Sequence, residues 1–192
     1  MTRKSKPTDY LPFILGGIGL IIMSAVNPIL QSKGEDPTTA VDLFTFPPVE
    51  LDQPAPELSL FDLQGNPVSL SDFQGEVLLV NNWATWCPPC RQEMPDFQAY
   101  FDEHRDEGFH IVAIEAGQPT EEVQNFVDDF GLSFIILLDP ENESLTTFQN
   151  SSLPNTWIID KKGHLRLAWV GAINFDTLEK YVTPLLKERS NR

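Results

Sequence analysis

The chain has 192 residues, with 28 acidic side chains against 13 basic ones, 41% apolar residues and two cysteines. A chain of this length buries a core without covalent staples, two cysteines are too few for a disulfide scaffold, and a structural zinc normally takes four ligands. The net charge of −15 argues against nucleic acid as a partner, because phosphate binding rests on a basic footprint. The charge is unevenly spread. Residues 1–33 hold Arg3, Lys4, Lys6 and Lys33 against Asp9 alone, whereas the remainder holds nine bases and 27 acids. A basic start before an acidic body suits an exported protein with a membrane-targeting end.

Residues 10–32 carry no charge and include Leu11-Pro12-Phe13-Ile14-Leu15 and Leu20-Ile21-Ile22-Met23. A membrane-spanning helix needs about 20 mainly apolar residues. The pattern therefore predicts a cytoplasmic stub over 1–10 and a transmembrane signal-anchor over 11–30, with the basic end inside and the rest extracytoplasmic. A cleaved signal peptide is the rival reading; its nearest cleavage site, Met23-Ser24-Ala25-Val26, is poor, and no Cys follows to accept a lipid. Residues 31–52 read as a flexible linker, with Glu35-Asp36-Pro37-Thr38-Thr39 and Pro47-Pro48 spread through polar sequence. The remaining domain is expected over 53–192.

Strand and helix signals then alternate. Leu58–Leu63 and Val68–Leu70 flank Gln64-Gly65-Asn66, a predicted hairpin. Val77–Val80 is a continuous apolar run of the kind found in strands buried on both faces, and Phe109–Ile114 and Phe134–Leu138 are two more. Helical spacing places Met94, Phe97, Phe101 and His104 on one face of a helix running to Glu107. Thr120 is the expected N-cap of a second helix, which carries Val123, Phe126, Val127 and Phe130 and stops at Gly131. Thr156–Asp160 and Leu165–Val170 form a second predicted hairpin, followed by a helix over Phe175–Lys187. Such alternation predicts an α/β domain, a mixed central sheet with helices on both faces and an added N-terminal β-hairpin.

Both cysteines lie in Trp86-Cys87-Pro88-Pro89-Cys90, after a buried strand and at the start of a helix. Unpaired N–H groups and the helix dipole stabilise a thiolate there, bringing thiol pKa values to roughly 3.5–7.5. Prolines are tolerated at the first helical positions, and one turn between the sulfurs brings the Cα atoms within disulfide reach. The arrangement suits a pair that cycles between dithiol and disulfide. His104, His110 and His164 stand at no ligand spacing from it, and no cofactor or metal is called for.

Trp83-Ala84-Thr85-Trp86-Cys87-Pro88-Pro89-Cys90 resembles a thioredoxin-fold active site, and Leu153-Pro154-Asn155-Thr156 stands where that fold has its cis-proline. With the anchor, Pro54-Ala55-Pro56, Leu70-Ser71-Asp72-Phe73-Gln74-Gly75 and Cys90-Arg91-Gln92-Glu93-Met94-Pro95, the chain is similar to the membrane-tethered thiol-disulfide oxidoreductases of the TlpA, ResA and cytochrome c maturation group. The resemblance implies an exposed, attacking Cys87, a more buried, resolving Cys90 and a peptide-binding surface shaped by Pro154. It also implies proton exchange between Cys90 and Glu93, three residues later on the helix. Thioredoxin has an acid six residues before its first cysteine; Asn81 stands there, which shifts weight to Glu93. Glu115, at the end of a strand, is a second candidate acid. Trp83 and Trp86 are read as packing around the cysteines, with Trp86, Pro88 and Leu153 the candidate substrate contacts. Pro95 is expected to kink its helix. The implied partners are protein thiols and disulfides, a membrane electron-donor protein, and the membrane itself through the N-terminal helix; apocytochrome c is one implied substrate class. Two alternatives share the fold. A peroxidase would want a P-x-x-x-T-x-x-C pattern, where this chain has Val80 and Ala84 in place of the Pro and Thr. A copper metallochaperone would present the two thiolates to a soft ion.

Overall fold

The central strand follows from its composition: Val77-Leu78-Leu79-Val80 has no polar face to give to water, so it can lie only between two layers. In the computed structural model, which describes residues 46–188, this run forms β4 (Val77–Trp83), buried at every position. It is preceded by β1 (Val49–Pro54), β2 (Ser59–Asp62) and β3 (Pro67–Ser69) and followed by α1 (Pro88–His104), β5 (Phe109–Glu115), α2 (Thr120–Phe130), β6 (Ile135–Leu138), α3 (Glu143–Thr147), β7 (Asn155–Ile159), β8 (His164–Val170), α4 (Phe175–Tyr181) and α5 (Thr183–Lys187). Among the described residues the strands make one sheet in the order β1-β8-β7-β4-β5-β6-β2-β3. The β4–β5 and β5–β6 pairs are parallel, and the other pairs are antiparallel.

Side chains alternate across β4, as the pleat requires. Val77, Leu79 and Trp83 face a core with Met94, Phe97 and Tyr100 of α1, Val123 and Phe126 of α2, and Leu178, Leu185 and Leu186 of α4 and α5. Leu78 and Val80 face a second core with Leu58, Leu60, Leu70, Phe148, Ile159 and Leu165. Helices do cover both faces, but unequally. The longer ones lie on the first face. The second is closed by a 3-10 turn at Leu70–Phe73, by residues of the β2–β3 hairpin and by Phe148 at the end of α3. That hairpin turns through Gly65 at φ 81° and joins the sheet edge through β6.

Several expectations are corrected. The linker ends earlier than residue 52, because β1 takes in residues 49–52 and pairs with β8. Its backbone does the pairing while most of its side chains stay exposed. Helix α1 begins at Pro88, as the motif implies, but ends at His104 rather than Glu107, where a 3-10 turn over Arg105–Glu107 takes over; Pro95 lies inside the helix. Thr120 is the first residue of α2 rather than its cap, a place taken by Pro119 without a side-chain hydrogen bond; Gly131 ends the helix at φ 63° as expected. The predicted terminal helix is two helices meeting at Val182, because Pro184 has no N–H to continue the ladder. The stub, the predicted anchor and linker residues 31–45 lie outside the described residues, among which no helix is long and apolar enough to cross a membrane.

Leu79→Ala, at a fully buried position of β4, is expected to lower stability by about 2–5 kcal/mol. The exposed change Glu141→Ala should stay within about 0.5 kcal/mol of wild type. Urea unfolding of both variants checks this.

Candidate active site

The sheet delivers the site to the carboxyl end of β4. The chain leaves Trp83, turns with the Cys87 N–H donating to the Ala84 carbonyl (3.1 Å), and enters α1. Cys87 is the N-cap, and Pro88 and Pro89 are the first two helical residues. Prolines carry no N–H, so the first free donor of the helix is that of Cys90. It donates to Cys87 Sγ at 3.3 Å. The dipole and this one directed N–H therefore converge on the sulfur that would carry negative charge. The two cysteines are joined in a disulfide, Cα atoms 5.3 Å apart.

Cys87 is less accessible than expected. It is 3% exposed against 0% for Cys90, so the order holds but both are covered in the oxidised protein. Of the flanking tryptophans, Trp83 packs in the core against Phe126, whereas Trp86 is 63% exposed. Packing fails as an account of Trp86. Pro88 is exposed, and Leu153 is half-buried against the core cluster containing both cysteines. The Leu153–Pro154 bond is cis. The register Asn82↔Asn155 puts Pro154 one residue further, at the end of β4 from which the Cys87 loop departs. The structure thus gathers Trp86, Cys87, Pro88, Cys90, Leu153 and Pro154 at one end of the sheet.

Glu93 is 1% exposed. Its Oε1 accepts from Asn81 Nδ2 at 2.9 Å and its Oε2 from the Ile173 N–H at 3.2 Å. Burial pushes its carboxyl well above the usual range, and the two donors only partly oppose this. Gln92, Glu93, Asp96, Ala172, Ile173 and Asn174 line a cavity of about 390 Å³ beside it. Glu115, also buried, sits opposite Trp83 on β5 and accepts from the Gln118 N–H at 2.7 Å. Burial raises its pKa, against backbone N–H groups of Gln118 and Thr85 and with help from the charges of Glu122 and Asp139.

Two supports had no sequence signal beyond residue type. Asn155 Oδ1 accepts from Asn82 Nδ2 (2.7 Å) and Trp157 Nε1 (2.6 Å), while its own amide donates to the Ser152 carbonyl (2.8 Å). This clamp holds the loop carrying Leu153 and Pro154. Arg91 donates to the Thr85 carbonyl at 3.1 Å and lies over Phe126 and Phe130 of α2, tying the Cys87 loop to both helices. The histidines stand apart from the sulfurs, each beside a carboxylate: His104 with Glu179, His110 with Glu76 and His164 with Asp52. Among the described residues one trio, Glu103, His104 and Glu179, brings three ligating atoms together, at the opposite end of α1 from the disulfide.

A disulfide at a helix N-terminus, beside a cis-proline on a mixed sheet, defines a thioredoxin-fold thiol-disulfide oxidoreductase. Comparison with known proteins agrees. Residues 51–168 match the AhpC/TSA family, and the chain belongs to it. The chain is 34% identical over 128 residues to a thiol-disulfide oxidoreductase ResA of Geobacillus kaustophilus, covering 67% of this chain and 74% of that one. It is 32% identical over 134 residues to a ResA of Bacillus thuringiensis subsp. konkukian, covering 70% and 78%. A thiol:disulfide interchange protein of the thioredoxin family from Chlorobium tepidum superposes with a TM-score of 0.65 at 26% identity, over 72% of this chain and 99% of that one.

Because the folded-state pKa of Glu93 is raised above its ordinary 4.5, the unfolded chain loses this proton first. Stability from this group is therefore present below about pH 4.5 and falls as pH rises toward the folded pKa. Glu93→Gln is expected to flatten that decline, by about 1.4 kcal/mol for each pKa unit of displacement. Urea unfolding of the oxidised protein at pH 5 and pH 8 measures it.

Proposed function

We propose that this oxidoreductase works outside the cytoplasm, tethered by residues 11–30, as a reductant of disulfides in other exported proteins. The carrying observation is the Cys90 N–H donated to Cys87 Sγ at the start of α1, with the carboxyl of Glu93 buried one turn further on.

In the reduced protein the Cys87 thiolate attacks one sulfur of a substrate disulfide. A mixed disulfide forms, and the other substrate sulfur leaves as a thiolate and takes a proton. Cys90 then gives its proton to the Glu93 carboxylate and attacks Cys87 Sγ. The internal disulfide closes, and the second substrate sulfur leaves. Two electrons pass to the substrate, and a membrane electron-donor protein returns them. Burial makes Glu93 a stronger base than a solvated glutamate, closer to a thiol in proton affinity. Trp86, Pro88 and Leu153 offer an apolar surface to the polypeptide around the substrate cysteine, and the buried Pro154 shapes the loop that carries Leu153. The group the chain resembles points to apocytochrome c, whose haem-binding cysteines must be reduced, as one substrate class.

Cys87→Ser is expected to abolish reduction of insulin disulfides by the reduced protein, with Glu141→Ala unchanged. Full activity without Cys87 would end the proposal. The AhpC/TSA match favours one second reading, a thiol peroxidase, although Val80 and Ala84 occupy the positions where that chemistry uses Pro and Thr. The reduced protein is expected to consume hydrogen peroxide no faster than a simple dithiol, as peroxide-dependent thiol loss would register. Rapid turnover would establish the second reading.

A further inference from the structure

Asn81 is a polar side chain in a strand that is otherwise apolar on this face. It lies between Leu79 and Trp83, fully buried, where a leucine would fill similar space. Its amide nitrogen has two close partners, Glu93 Oε1 at 2.9 Å and Thr156 Oγ1 at 3.0 Å. Its carbonyl oxygen is buried with no hydrogen-bond partner among the described residues. Burying an amide with one end unsatisfied is unfavourable, so the bonded end must justify the residue.

The orientation of that amide is informative. Turned over, it would set its oxygen against Glu93 Oε1, acceptor against acceptor, whenever the carboxyl is ionised. In the orientation present, both N–H groups point outward to acceptors: one to the carboxylate, the other to a hydroxyl that can serve as either donor or acceptor. The neighbours of Glu93 supply no alternative charge. On α1 it has Cys90 before it and Asp96 after it, and Asp96 is another acid. The β8–α4 connection contributes Ala172, Ile173 and Asn174, none of which titrates, with the Ile173 N–H on Oε2. Among the described residues no cation lines the adjoining cavity.

We infer that Asn81 is a positioning residue that lets Glu93 ionise in its buried site, fixing Oε1 and setting the pH at which this carboxyl exchanges its proton with Cys90. This rests on the proton-transfer reading of Glu93 above. Where thioredoxin has an acid on this strand, this chain has a neutral donor that serves an acid on the facing helix.

The test uses the full-length reduced protein. The Glu93 side-chain carboxyl is followed by carbon-13 NMR across pH, beside the pH profile of insulin reduction, in wild type, Asn81→Leu and Asn81→Asp. Loss of one hydrogen bond to a charged group should raise the Glu93 midpoint by about one to two pH units in Asn81→Leu. Asn81→Asp, which keeps the side chain's size if the leucine variant fails to fold, should raise it too, because two carboxyls in contact share a proton. The pH profile should follow, and Asn81→Leu added to Glu93→Gln should leave the profile of Glu93→Gln unchanged. A midpoint unmoved in the folded variants would overturn the inference. A profile unaffected by Glu93→Gln would instead sink the proton-transfer reading, while the NMR midpoint still judged the Asn81–Glu93 contact.

Discussion

A carboxyl group buried three residues after the disulfide, on the same helix, is the constraint around which this domain is organised. Removing Glu93 from water disfavours its charged form, and the fold answers with two donors from separate parts of the chain. Asn81 reaches it from β4, and the Ile173 N–H from the turn after β8. Neither can be supplied locally by α1. The carboxyl therefore has its partners only once strand, helix and C-terminal connection have assembled, so its environment depends on tertiary structure as much as on spacing along the helix.

The same dependence holds for the sulfurs. Cys87 gains its directed N–H because two prolines precede Cys90 and leave that donor as the first one free. The β4–β7 pairing brings the Leu153–Pro154 bond to the edge where the cysteine loop begins, and the Asn155 clamp holds its loop there. Arg91 fastens the opposite side through Thr85 and the stacked rings of α2. With no third cysteine in the chain, no other internal disulfide can form. What was a shortage for a scaffold is an advantage for a redox couple.

Much of this was legible in the residues. Continuous apolar runs marked β4, β5 and β6, because strands buried on both faces need no polar alternation. The cysteine motif announced its helix, and Leu153-Pro154 announced the neighbouring loop. The rest had physical reasons to stay hidden. Edge strand β1 pairs through its backbone and leaves mostly polar side chains in water, so it carries no apolar pattern. Helix α3, at five residues, is too short to show a period. The division at Val182 did have a signal in Pro184, which outweighs the apolar spacing around it. The partners of Glu93, twelve and eighty residues away, follow from the packing of α1 on the sheet, which no local pattern encodes. Nor did the motif reveal how thoroughly Cys87 is covered, because that depends on what the fold lays over it.

The central claim is that Cys87 attacks and Cys90 resolves. Removing the resolving thiol should therefore freeze the reaction halfway. Reduced Cys90→Ser protein mixed with an unfolded, disulfide-bonded protein is expected to accumulate a covalent adduct, and peptide mapping by mass spectrometry should locate the mixed disulfide at Cys87. The absence of any adduct, or equal trapping through Cys90 in Cys87→Ser, would contradict the account.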